Sequence, residues 1–138
     1  MIYLLPRDWL QTQDLKLTYN EITLPGEKGR RPNIVIRDQH GTSTLSELKT
    51  KYERDLPNAL QNYKLESSEL VVAEDCKEMV KIIHTNMERG VAVRQVNYII
   101  QIGNKRLFVA FTAGTADGNH HDEQFDHFVR SIAKPRAN

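Results

Sequence analysis

The sequence predicts a single α+β domain built on a twisted, mainly antiparallel sheet with two principal helices. Three observations carry this expectation. Four β-rich runs follow one another between residues 65 and 113 with only turn-sized gaps, and amphipathic helical stripes lie before and after them. At 138 residues the chain is too short for two ordinary cores, so one domain spanning 1–138 is expected. An apolar fraction of 39% against 27% charged residues lets burial offset chain entropy, which excludes disorder.

Residues 17–24 alternate in type, with Ile22 and Leu24 on one face and Tyr19, Glu21 and Thr23 on the other, the pattern of a half-buried strand. Pro25-Gly26-Glu27-Lys28-Gly29-Arg30-Arg31-Pro32 is rich in turn formers, and a short strand over 33–37 then closes a hairpin. Thr44 can cap a helix whose third following residue is Glu47, and Leu45, Leu48, Tyr52, Leu56, Ala59 and Leu60 recur at helical spacing. Pro57 removes a backbone donor, so the spacing predicts a kink or break around Asp55 and Leu56 and an end near Asn62.

Strands follow over residues 65–73, 79–88, 91–102 and 105–113. Met87-Glu88-Arg89-Gly90 and Gly103-Asn104 leave room only for tight antiparallel turns. A last helix carries Phe125, Phe128, Val129 and Ile132 as one stripe, with Asp122 and Glu123 in its first turn, where carboxylates suit the helix dipole. Pro135 ends it.

Nineteen basic and 18 acidic residues leave a formal charge of +1, so no global field draws the chain onto nucleic acid or anionic lipid. The N-terminal residues have neither the basic segment nor the cleavage pattern of a signal peptide, and no apolar run is long enough to insert into a membrane. Cys76 is alone, which fits a reducing compartment. A cytoplasmic protein is the expectation.

Candidate chemistry is sparse. His120, His121, Asp122, Asp126 and His127 form the best local cluster for a metal, but the spacing of a helical zinc pair is missing, and a solvated helix start explains them. Ser43 and Ser46 sit where capping accounts for them, with no nucleophile elbow. Glu74-Asp75 and Asp122-Glu123 are neighbours in sequence, which face water more often than a shared cleft. Gly26-Glu27-Lys28-Gly29-Arg30-Arg31 lacks the Lys-Ser/Thr ending of a phosphate loop and reads as a basic hairpin tip. No metal, cofactor or catalytic residue is assigned, and an enzyme is not expected.

The strand over 91–102 is unusual. One face carries Val91, Val93, Gln95, Asn97, Ile99 and Gln101; the other carries Ala92, Arg94, Val96, Tyr98, Ile100 and Ile102. With apolar residues on both faces, one can pack on the chain's helices while the other receives a partner, its amides bonding polar groups of a guest where water is scarce. A sheet buried on both sides by its own chain fits the pattern equally.

Several stretches resemble the Eag family of effector-associated chaperones of bacterial type VI secretion, within the DcrB/PsbP-like fold group. They are Asn33-Ile34-Val35-Ile36-Arg37-Asp38, the helix from Leu45-Ser46-Glu47-Leu48 to Tyr52, Gly90-Val91-Ala92-Val93-Arg94-Gln95, and Phe125-Asp126-His127-Phe128-Val129-Arg130-Ser131-Ile132. The resemblance covers residues 17–132 and implies a PsbP-like fold and a cytoplasmic, homodimeric adaptor without enzymatic activity. It also implies a partner, a toxin effector whose N-terminal transmembrane helices the adaptor shields before export. The positions matching the family's grip are Ile22, Leu24, Val35, Gln95 and Gln101, with Ala59 and Gln61 from the bordering helix. The alternative function is a non-enzymatic PsbP-like module that binds a folded protein partner.

Overall fold

In the computed structural model of the protein the described residues are 9–13, 16–19, 32–72, 78–103 and 105–133, with side-chain surroundings described from 32 to 132. The elements run β1 (Trp9–Gln13), β2 (Lys16–Tyr19), β3 (Asn33–Asp38), α1 (Leu45–Ala59), β4 (Gln61–Val72), β5 (Glu78–Glu88), β6 (Val91–Ile102), β7 (Lys105–Gly114), a 3-10 turn (Thr115–Asp117) and α2 (Asp122–Ala133). Among the described residues one seven-stranded sheet forms, in the order β1-β2-β3-β7-β6-β5-β4. Every neighbouring pair is antiparallel. The α+β class is therefore as the sequence predicts, while β1 is a strand that no sequence expectation covered. Of the predicted 17–24 strand, β2 holds the first part; Ile22, Leu24, the basic tip 26–31 and Cys76 lie outside the described residues.

Local chemistry explains the boundaries. Thr44 Oγ1 accepts from the Glu47 N–H at 3.1 Å while Glu47 Oε1 accepts from the Thr44 N–H at 3.2 Å, a reciprocal cap that satisfies two free donors of α1. The helix does not break at Pro57: α1 runs uninterrupted to Ala59, shorter than the expected end at Asn62. Pro57 falls in the last turn, so its missing N–H frees only the Glu53 carbonyl, and the Leu60 N–H still reaches the Leu56 carbonyl at 3.0 Å. Arg89 and Gly90 both take positive φ, 51° and 79°, the turn whose twist matches the flanking strands, and Gly103 (φ 58°) serves the next hairpin.

The chain passes from β3 to β4 through α1, which crosses one face of the β5-β6-β7 meander. The opposite face packs on α2. There Ile34, Ile36, Met79, Ile83, Val96, Tyr98, Ile100, Val109 and Phe111 meet the predicted stripe Phe125, Phe128, Val129 and Ile132, all buried. On the α1 face a smaller cluster gathers Leu48, Val80, Ile82 and Ile99 against Leu45, Tyr52, Leu56 and Phe108. Of the two sequence readings of the 91–102 strand, the one in which the chain's own elements cover both faces is the one observed over most of the sheet. Residues on both faces of β6 are apolar because each face receives its own helix.

Polar bonds pin α2 to the sheet. Arg94, its side chain 7% exposed, binds Asp122 at 2.7 and 2.9 Å and Glu66 at 2.8 and 3.1 Å, tying β6, β4 and the start of α2 together. Its bonds to those carboxylates hold the guanidinium firmly charged, and the Arg94 bond holds the Glu66 carboxyl below its ordinary range. Tyr98 donates to Asp126 at 3.0 Å, and Arg130 donates to the other oxygen at 2.8 Å. Burial and the Asp126 charge push the Tyr98 phenol up. Burial opposes ionisation of Asp126, but the Arg130 and Tyr98 bonds outweigh it and keep that carboxyl low. His121, expected in a solvated helix start, is instead buried beside the Phe111 ring and 3.4 Å from Asp117.

Candidate binding cavity between the first helix and the sheet

Because side chains alternate along a strand, the pairings Val35 with Ala110, Asn97 with Ala110, and Gln95 with Thr112 place these residues together on the α1 face. Leu56 and Tyr52 of α1 cover the part of that face over Val80, Ile82 and Ile99. Toward β3 the helix leaves a cavity of about 230 Å³. Tyr52, Leu56 and Leu60 bound it on the helix side; Val80, Ile82, Ile99, Phe108 and Ala110 form an apolar floor, interrupted by His84, Gln95 and Asn97, with Arg37 at its β3 side.

The amides are oriented by the sheet beneath them. Asn97 donates one N–H to the Ile82 carbonyl at 3.2 Å and approaches His84 Nε2 at 3.1 Å with the other. An amide N–H at Nε2 makes that nitrogen the acceptor, so the ring proton sits on Nδ1. Burial lowers the His84 pKa, opposed by the neighbouring Asn86, and favours this neutral ring. Tyr63 packs its ring 5.0 Å from His84 on the β4 side. Gln95 donates to Thr112 Oγ1 at 3.1 Å. Both amides thus spend N–H groups on the protein and leave oxygen lone pairs for a donor entering the cavity.

Aromatic packing fixes the other side. Phe108 stacks on Tyr52 with centroids 6.1 Å apart, and the Arg37 guanidinium lies 4.9 Å over the Phe108 ring. The Tyr52 hydroxyl donates to Gln39 Oε1 at 3.1 Å. Burial raises the Tyr52 pKa, partly offset by the charge of Arg37.

The residues singled out from sequence separate in space. Gln95 lines the cavity, and Val35 lies half-buried on the same face, beside Ala110 and two strands from Asn97. Ala59 ends α1 and Gln61 opens β4; both are exposed and neither lines the cavity. Gln101 faces a second, polar cleft with Asp38, His40 and Arg106, where it accepts from Arg106 Nε at 2.6 Å. Sequence reasoning missed His84, Arg37 and Phe108 as cavity residues. The period-two pattern of β6 contained Asn97, but pairing register was needed to bring His84 and Ala110 beside it. Among the described residues no group of three or more His, Cys, Asp or Glu side chains is placed to hold a metal ion. None of the described helices is long and apolar enough to cross a membrane.

No family model and no curated protein matches the chain. Solved structures do. A Pseudomonas aeruginosa protein of unknown function, PA94, superposes with a TM-score of 0.67 at 17% identity, covering 83% of this chain and 81% of that one. LpqN of Mycobacterium tuberculosis, involved in cell envelope biogenesis, gives 0.61 at 12% identity over 92% and 78% of the two chains. CyanoP, the cyanobacterial PsbP of Synechocystis sp. PCC 6803, gives 0.56 at 10% identity over 94% and 83%. The antiparallel sheet with its two helices is a PsbP-like fold, shared with these proteins at the level of architecture.

Proposed function

We propose that the protein is a chaperone or adaptor that holds an apolar helical segment of another polypeptide in the cavity between α1 and the sheet. The observation that carries this reading is an apolar cavity whose polar groups, Gln95, Asn97 and His84, sit amid aliphatic and aromatic side chains. An aliphatic guest side chain gains about 25 cal/mol per Å² removed from water, and a polar group of the guest retains a partner in the amide oxygens. At about 230 Å³ the cavity is smaller than the roughly 300–1,000 Å³ that small-molecule pockets commonly offer, and it suits one or two anchor side chains of a helix lying across its mouth.

The client class is the one the Eag resemblance implies: N-terminal transmembrane helices of a type VI toxin effector, received in the cytoplasm by a non-enzymatic homodimer. Coexpression with such a segment is expected to yield a soluble complex. Ala110→Phe, which fills the cavity from its floor, and Gln95→Ala, which removes one amide, are expected to weaken that complex. Unchanged capture by both variants would remove the cavity from the reading. A second reading, a module for a folded partner, is favoured by the outer strand β4, where Leu65, Leu70 and Val72 are 46%, 41% and 62% exposed. Capture of a soluble partner without an apolar helix, lost on Leu70→Lys but kept in Ala110→Phe, would select it.

A further inference from the structure

We infer that Arg37 is an anion anchor at the side of this cavity: it receives a carboxylate that the client segment carries next to the apolar side chain filling the hollow. The inference rests on the proposed chaperone reading and adds the chemistry by which a client is selected.

Charge is the first argument. No Asp or Glu lines the cavity, so Arg37 is its one formal charge when His84 is neutral. Three other arginines are matched with acids, Arg54 with Asp55, Arg94 with Glu66 and Asp122, and Arg130 with Asp126, while Arg106 is taken up by the Gln101 amide. Among the described residues no carboxylate lies in ion-pair contact with Arg37, whose guanidinium rests on the face of Phe108. The second argument is geometric. Lying over that ring, the guanidinium has part of its conformational freedom already removed, while its N–H edge stays available for a bidentate acceptor. Its sequence neighbour Asp38 lines the separate polar cleft with Gln101 and Arg106 and does not line this cavity. A guest carboxylate at this side would thus meet a held cation beside a low-dielectric floor.

Arg37 is exposed, so the effect is modest: on the order of a threefold to fivefold preference, as measured for solvated ion pairs, shrinking as salt is raised. The test uses two fluorescently labelled helical peptides of about 18 residues, built from Leu, Ala and Gln with one Phe anchor. They are identical except for Asp or Asn one turn from the Phe, and their affinities are read by anisotropy on the full chain. Wild type is expected to prefer the Asp peptide; Arg37→Gln is expected to abolish the preference while still binding the Asn peptide as before, and Arg37→Lys to restore part of it. Equal affinity of wild type for both peptides, or a preference that survives Arg37→Gln, overturns the anchor and leaves the apolar cavity standing. Failure of wild type to bind either peptide overturns the cavity reading and the anchor with it.

Discussion

The two faces of one sheet are finished differently. Against α2, Phe111 of β7 sits 4.8 Å from the Phe125 ring, and polar ties from Arg94 and Tyr98 lock the helix down at two points. Against α1, three strand residues and one helix residue form the buried cluster, and beside it the cavity stays open. The same strand, β7, serves both: Ala113 is packed on the α2 side and Ala110 floors the cavity. Stability is concentrated on one face, which leaves the other free to keep empty volume and buried amides.

The largest expected effect comes from breaking the filled face. Phe128→Ala is expected to cost about 3–5 kcal/mol of unfolding free energy in a urea titration, since a fully buried ring leaves a void. Arg94→Leu should follow, at about 2 kcal/mol, because four bonds to carboxylates and one to the Gly118 carbonyl vanish while the carboxylates it abandons can regain water. It should also change the acid limb. The Glu66 pKa is depressed in the fold, so its contribution is complete above the ordinary carboxylate value and fades as pH falls through the folded one; Arg94→Leu therefore flattens the loss of stability below about pH 4.5.

A matched pair of substitutions sharpens the comparison directly. Ala113→Leu should destabilise by about 1–3 kcal/mol through overpacking, whereas Ala110→Leu should fall within about 1 kcal/mol of wild type because space is waiting for it. Equal costs would mean that the two faces are packed alike. The smallest effect concerns His84. Its folded pKa is depressed by burial, so the unfolded chain takes up the proton first as pH falls below about 6.5 and stability declines from there. His84→Gln should lack that part of the decline, as thermal melts between neutral and mildly acidic pH would show.

Much of the architecture was legible beforehand for physical reasons. Thr44 and Glu47 form the predicted cap, the Phe125 to Ile132 stripe is the buried face of α2, and the Arg89-Gly90 turn follows from backbone sterics. These are local signals. Pro57 misled because a proline's effect depends on its distance from the helix end, which the sequence does not mark. The cavity was readable only in part: the amides of β6 stood out by their alternation, but β3 joins the far side of β7 through pairing distant in sequence, and only that register brings Arg37 beside Phe108. Gln101 shares the parity of Gln95 yet lies at the other end of the strand, where Arg106 and the hairpin turn take it up.

Strand β4 ends the sheet, and its ladder to β5 is interrupted twice, between Gln61 and Lys64 and between Leu65 and Ser67, with Asn62 at a positive φ of 55°. Each extra residue twists the rim so that a second flat strand cannot lie along its free amides in register. Deleting one residue at the second interruption would restore regular pairing from Lys64 to Val72, a stretch that carries the exposed Leu65 and Leu70. The same sheet would then offer that stretch of rim to a strand of another chain.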